Sequence, residues 1–107
     1  MKPSYPIACN LDVFAPEQRE SHIQTTRRLM EKVLSIAPQE NGFQFVLPYK
    51  ADILIQLSAF IVNERLCCPF LEFTLTINPG EEPIVLSLSG PEGTREFLRE
   101  EFSEVFA

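Results

Sequence analysis

The chain has 107 residues, nine Lys and Arg against fifteen Asp and Glu, a formal charge of −6 and 45 % hydrophobic residues. A chain of this size buries roughly two-thirds of its unfolded surface, enough for one core and too little for two, and its abundant Leu, Ile, Val and Phe exclude a disordered polymer. Nucleic-acid binding needs a basic patch, and the only basic doublet is Arg27-Arg28; basic helices that lie on anionic membranes are missing for the same reason.

No apolar run approaches the roughly 18 to 20 residues that span a bilayer, and the opening MKPSYPIACNLDVF has no continuous apolar stretch of the signal-peptide kind. A cytosolic location is the expectation. Along residues 7 to 14, Ile7, Cys9, Leu11 and Val13 alternate with Ala8, Asn10 and Asp12, a period of two that predicts a half-buried strand. Ala15-Pro16-Glu17 then opens a helix, in which Ile23, Met30, Val33, Leu34 and Ala37 recur at helical spacing. It is expected to run from about Pro16 to Ile36 and to end at Pro38 and the Asn41-Gly42 turn. Phe43, Phe45 and Leu47 alternate again as a second strand.

A helix over Ala51 to Cys67 follows, with Ile53, Leu54, Leu57, Phe60 and Ile61 on a wide apolar face, and Pro69 disfavours helical backbone at Cys68. Phe70 to Ile77 reads as a third strand, Asn78 to Pro83 as a turn, and Ile84 to Ser89 as its hairpin partner. Gly90-Pro91-Glu92-Gly93 opens a last helix carrying Leu98, Phe102, Val105 and Phe106 on one side and most of the excess acid on the other. The order β-α-β-α-β-β-α predicts a single two-layer α+β domain over residues 1–107, with a four-stranded mixed sheet and three helices.

The chemistry lies in sulfur. Cys9, Cys67 and Cys68 are the only cysteines, and a reducing compartment keeps them as thiols. Adjacent trans residues have Cα atoms about 3.8 Å apart, below the usual lower limit of about 4.4 Å for a disulfide. Cys67 and Cys68 therefore join only in a strained ring, whereas Cys9 can pair with either where the fold brings it close. If the first and third strands are parallel neighbours, the three sulfurs meet at one edge of the sheet; if antiparallel, they lie far apart.

Three thiolates within reach suit a soft metal or metalloid ion such as Hg(II), As(III), Cu(I) or Zn(II). Successive helical side chains diverge by about 100°, so the doublet can face one ion only where the helix breaks, and Pro69 supplies the break. His22 is the sole histidine, a candidate fourth ligand or base against the ordinary reading of a solvated or half-packed imidazole. Glu64 is a candidate carboxylate ligand or proton acceptor, and Arg65 a candidate partner for a thiolate or anion; the structural alternatives are a surface ion pair and a complement to the helix dipole. A helix C-terminus favours the protonated thiol, which sets ion binding, where the cation displaces the proton, ahead of thiol catalysis.

The stretch Glu64-Arg65-Leu66-Cys67-Cys68-Pro69-Phe70, followed by Phe73, Gly90-Pro91-Glu92-Gly93 and Phe97-Leu98, resembles that of a group of small bacterial proteins. These share an E-R-x-C-C-P-F segment, a hairpin and a closing G-P-x-G helix. The resemblance covers about residues 7 to 100, and Cys9 looks like the cysteine that such proteins carry on their first strand. It implies no catalytic role.

Three readings follow. The first is a soft-ion site of Cys9, Cys67 and Cys68, with Glu64, Arg65 and His22 as supporting groups, acting as a sensor, chaperone or sequestering module. The second is a non-catalytic interaction or homo-oligomerisation domain, its Phe-rich elements packed against a second copy and its cysteines structural. The third is a thiol oxidoreductase with Cys67 or Cys68 as nucleophile and Cys9 as resolving partner.

Overall fold

The computed structural model describes residues 5–106, and its elements follow the apolar spacing over most of the chain. After a 3-10 turn, Leu11–Val13, come α1 (Pro16–Glu31), β1 (Ser35–Gln39), β2 (Gly42–Leu47) and α2 (Ala51–Cys67). β3 (Glu72–Thr76), β4 (Ile84–Ser89), α3 (Thr94–Glu101) and the short α4 (Ser103–Phe106) complete the α+β domain. Pro16 occupies the first turn of α1, where a missing N–H costs no helical bond, and the Gln18 side chain accepts from the Ala15 N–H at 3.2 Å.

The sheet has four strands in the order β1-β2-β4-β3, every pair antiparallel, so the expected mixed sheet is not formed. The strand expected over residues 7 to 14 does not enter it. Ile7 and Cys9 are half-buried as alternation requires, but the segment lies across the end of α2, and the Asn10 side chain accepts from the Asp12 N–H at 3.0 Å and curls the chain into the 3-10 turn. Its place in the sheet is taken by Ser35–Gln39, which includes residues expected at the end of the first helix. That helix stops at Glu31 because the Asn41-Gly42 signal is a hairpin, with Glu40 and Asn41 between the paired Gln39 and Gly42. Asn41 takes φ 53°, and any Cβ at Gly42 would strike the Leu88 carbonyl on β4. Pro38 fits because β1 is an edge strand.

The β3–β4 hairpin forms as expected, pairing Thr76 with Val85 and Glu72 with Ser89. One face of the sheet is apolar: Phe43, Phe45, Leu47, Ile84, Leu86 and Leu88 are all buried there. The helices cover it, with Phe102 6.0 Å from Phe45 and 6.4 Å from Phe60, and Phe106 4.7 Å from Phe43, between ring centroids. Each such side chain contributes about 1.5–3 kcal/mol of burial free energy. The expected last helix breaks at Phe102, which leaves helical backbone (φ −110°, ψ 38°), and α4 resumes beyond it.

Phe14, Phe43, Phe45, Phe60, Phe70 and Phe102 are buried within the chain, and Phe73, Phe97 and Phe106 are half-buried. Among the described residues, no helix is long and apolar enough to cross a membrane.

Candidate functional site

The site is built at the end of α2. Glu64, Cys67 and Cys68 are spaced i, i+3 and i+4, which puts all three on one side of the helix. The Cys68 N–H closes the last turn on the Glu64 carbonyl at 2.7 Å, and ahead of Pro69 its backbone leaves the helical region (φ −122°, ψ 71°). The break allows both sulfurs to face the same carboxylate: Glu64 Oε1 lies 3.2 Å from Cys67 Sγ and 3.4 Å from Cys68 Sγ, with the sulfurs 3.5 Å apart.

The third cysteine arrives by an unexpected route. Neither parallel nor antiparallel strands deliver it; the irregular segment before the 3-10 turn does, fastened by the Asn10 N–H donating to the Cys67 carbonyl at 2.7 Å. Cys9 and Cys68 are joined as a disulfide, Cα atoms 4.3 Å apart, while Cys67 is a free buried thiol. The expectation of three thiols is thus met at one position, and the other two are oxidised to a bridge. One donor atom from each of Cys9, Glu64, Cys67 and Cys68 lies within 4.8 Å of every other, a group that could hold a metal ion.

Glu64 is only 2 % exposed, which removes the surface ion pair as its role. Its Oε1 also meets His22 Nε2 at 3.3 Å, and the imidazole, itself buried, lies between the rings of Phe14 and Phe60 at centroid distances of 5.4 and 5.8 Å. His22 thus backs the carboxylate and stands outside the four-residue group. Glu64 Oε2 and His22 Nδ1 are buried without a hydrogen-bond partner. Arg65 is exposed, one residue along the helix turning it about 100° from Glu64, and it makes no hydrogen bond or ion pair to the site residues among those described.

Burial pushes the Cys67 thiol far above its ordinary range, and the Glu64 carboxylate adds to the effect. The thiol is therefore protonated at neutral pH, as its place at a helix C-terminus also favours.

Sequence reading misses Glu101, which it assigns to the solvated acidic side of the last helix. Its outer flank is exposed, but its carboxyl reaches inward, with Oε2 3.7 Å from Cys9 Sγ. The available signal is spacing: Glu101 follows Phe97 and Leu98 by four and three residues, on the flank of the buried side. Burial first, then the charge of the nearby Glu64, hold this carboxyl above its ordinary value of 4.5. Above that pH the folded chain retains a proton that the unfolded chain releases, so this group's contribution to stability falls as pH rises through the window. Glu101→Gln is expected to flatten the fall in Tm between about pH 5 and about pH 8. Parallel melting profiles for the two proteins would show that the carboxyl is not held protonated.

A cleft of about 500 Å³ opens onto Cys9, Glu64, Cys67 and His22, between α1 and the α3–α4 segment. Comparison of the chain with protein-family models, curated proteins and solved structures finds no match.

Proposed function

We propose that the reduced chain binds one soft metalloid or metal ion through the thiolates of Cys9, Cys67 and Cys68, as a sensor, chaperone or sequestering module. The observation that carries this reading is the gathering of three sulfurs and a buried carboxylate oxygen within 4.8 Å. Sulfur donors select soft ions. Charge balance narrows the choice: a trivalent ion neutralises three thiolates, whereas a divalent ion leaves net negative charge buried beside the Glu64 carboxylate, which low dielectric penalises. Arsenic(III) therefore fits better than zinc(II). Binding arsenite breaks three S–H and three As–O bonds, forms three As–S bonds and releases three waters, with no change of oxidation state.

The bridge must be opened first. A dithiol reductant supplies two electrons and two protons to Cys9 and Cys68 and leaves as its own disulfide. The oxidised chain then presents one thiol and the reduced chain three.

The test is thiol counting on the reduced chain, freed of reductant, as arsenite is added. The expected result is loss of all three thiols at one arsenite per chain, and no uptake by the oxidised chain. Thiols that stay reactive at saturating arsenite would overturn the reading. The oxidoreductase alternative is favoured by one observation, the free Cys67 sulfur 3.5 Å from the bridged Cys68 sulfur. It would be supported by reversible cycling of the Cys9–Cys68 bridge with a thiol donor, without protection by any ion.

A further inference from the structure

The cleft over the sulfurs is far larger than an ion needs. A single water takes about 30 Å³, while the cleft encloses about 500 Å³, within the roughly 300–1,000 Å³ typical of small organic ligands. Its walls are largely apolar, contributed by Ile23 and Met30 of α1, Phe97 of α3, and Phe102 and Val105 beyond it. Its floor is polar and reactive: Cys9, Cys67 and the buried Glu64, whose Oε2 has no partner. Cys68 does not line the cleft.

We infer that the ligand is a metalloid carrying one apolar organic substituent, a monoaryl or monoalkyl arsenic(III) species, with its carbon group lodged between α1 and the α3–α4 segment. The inference rests on the soft-ion reading above and names the ligand class of the same site. In an R–As(OH)₂ molecule the carbon substituent occupies one of three valences, so two sulfurs suffice. The two that face the cleft are Cys9 and Cys67. Two S–H and two As–O bonds break, two As–S bonds form, and two waters leave; arsenic keeps its oxidation state. Cys68 keeps its proton, with Glu64 Oε1 at 3.4 Å as acceptor. Glu100 and Glu104 line the same cleft against one cation, Arg27, so a neutral arsonous acid enters more readily than an anionic thiol conjugate.

The experiment compares arsenite, methylarsonous acid and phenylarsonous acid on the reduced full-length chain. Affinity is read by competition with a small dithiol, and stoichiometry by intact mass and residual thiol count. Burial of the ring is expected to make the phenyl compound bind at least about tenfold more tightly than the methyl compound, with one thiol left free in the adduct. Ile23→Trp and Val105→Trp, made separately, fill the cleft from opposite walls, and each is expected to reduce that preference to within about threefold of unity while arsenite still takes three thiols. A phenyl-to-methyl ratio near unity in the unmodified chain, or one that neither variant changes, with arsenite still bound, would overturn the inference and leave the ion site standing. Failure of all three compounds to protect thiols would remove both.

Discussion

Replacing Cys67 by serine is expected to weaken arsenite binding by the reduced chain by more than about 100-fold, since changes merely next to a metal ligand already cost about 10- to 100-fold. Cys67 is the sulfur best placed to report on the site. It is free of the disulfide, 1 % exposed, and 3.2 Å from the Glu64 carboxylate. Serine is close in size and its hydroxyl can donate to the same carboxylate, so the fold is expected to persist and the loss to be one of sulfur chemistry. Its burial as a neutral thiol adds a second expectation: arsenite uptake is slow, because the reactive thiolate is scarce at neutral pH. Competition titration measures the first effect and stopped-flow thiol loss the second. Unaltered affinity in Cys67→Ser, Cys68→Ser and Cys9→Ser alike would dispose of the ion site.

The second large effect is on stability. The Cys9–Cys68 bridge ties residues 59 apart in sequence, and a loop of that length corresponds to about 4 kcal/mol of unfolded-state entropy in the chain-entropy picture. Reducing the bridge is expected to lower the free energy of unfolding by about 2–4 kcal/mol, equivalent to a fall in Tm of at least about 8 °C for a domain of this size. Urea melts of the oxidised chain, the reduced chain and Cys9→Ser measure it, and the last two should agree. Equal stability of all three would mean that the Asn10–Cys67 backbone bond and the packing of Ile7 hold the segment unaided. An ion spanning Cys9 and either other sulfur closes nearly the same loop, so arsenite should restore part of the loss to the reduced chain but not to Cys9→Ser.

Residue order specifies structure where local and tertiary preferences agree. α2 begins at Ala51 and ends at Cys67 as its apolar face and Pro69 require, and the β3–β4 hairpin follows from two alternating runs around Asn78-Pro79-Gly80. Failures occur where pattern and pairing part company. Ile7, Cys9, Leu11 and Val13 alternate like a strand, yet no sheet edge receives them; Ser35–Gln39 lacks clean alternation and is a strand because Gly42 turns it onto β2. In the site, three cysteines on one chain point to convergence and Glu64 is a candidate beside them, but the burial that makes its carboxylate a shared partner of both sulfurs arises only when the fold closes over it. The i, i+3, i+4 spacing from Glu64 to the doublet is the signal that it shares their side of the helix.

The proline in β1 has a consequence for how the molecule meets its neighbours. Lacking an amide hydrogen, Pro38 denies an incoming chain one of the contacts by which sheets grow, so lateral extension through β1 is discouraged. The opposite border, β3, has no such block and relies on Glu72 and the hydroxyls of Thr74 and Thr76 to stay hydrated. Fibrillar or strand-swapped association, were the domain loosened by loss of its crosslink, is therefore directed to that border.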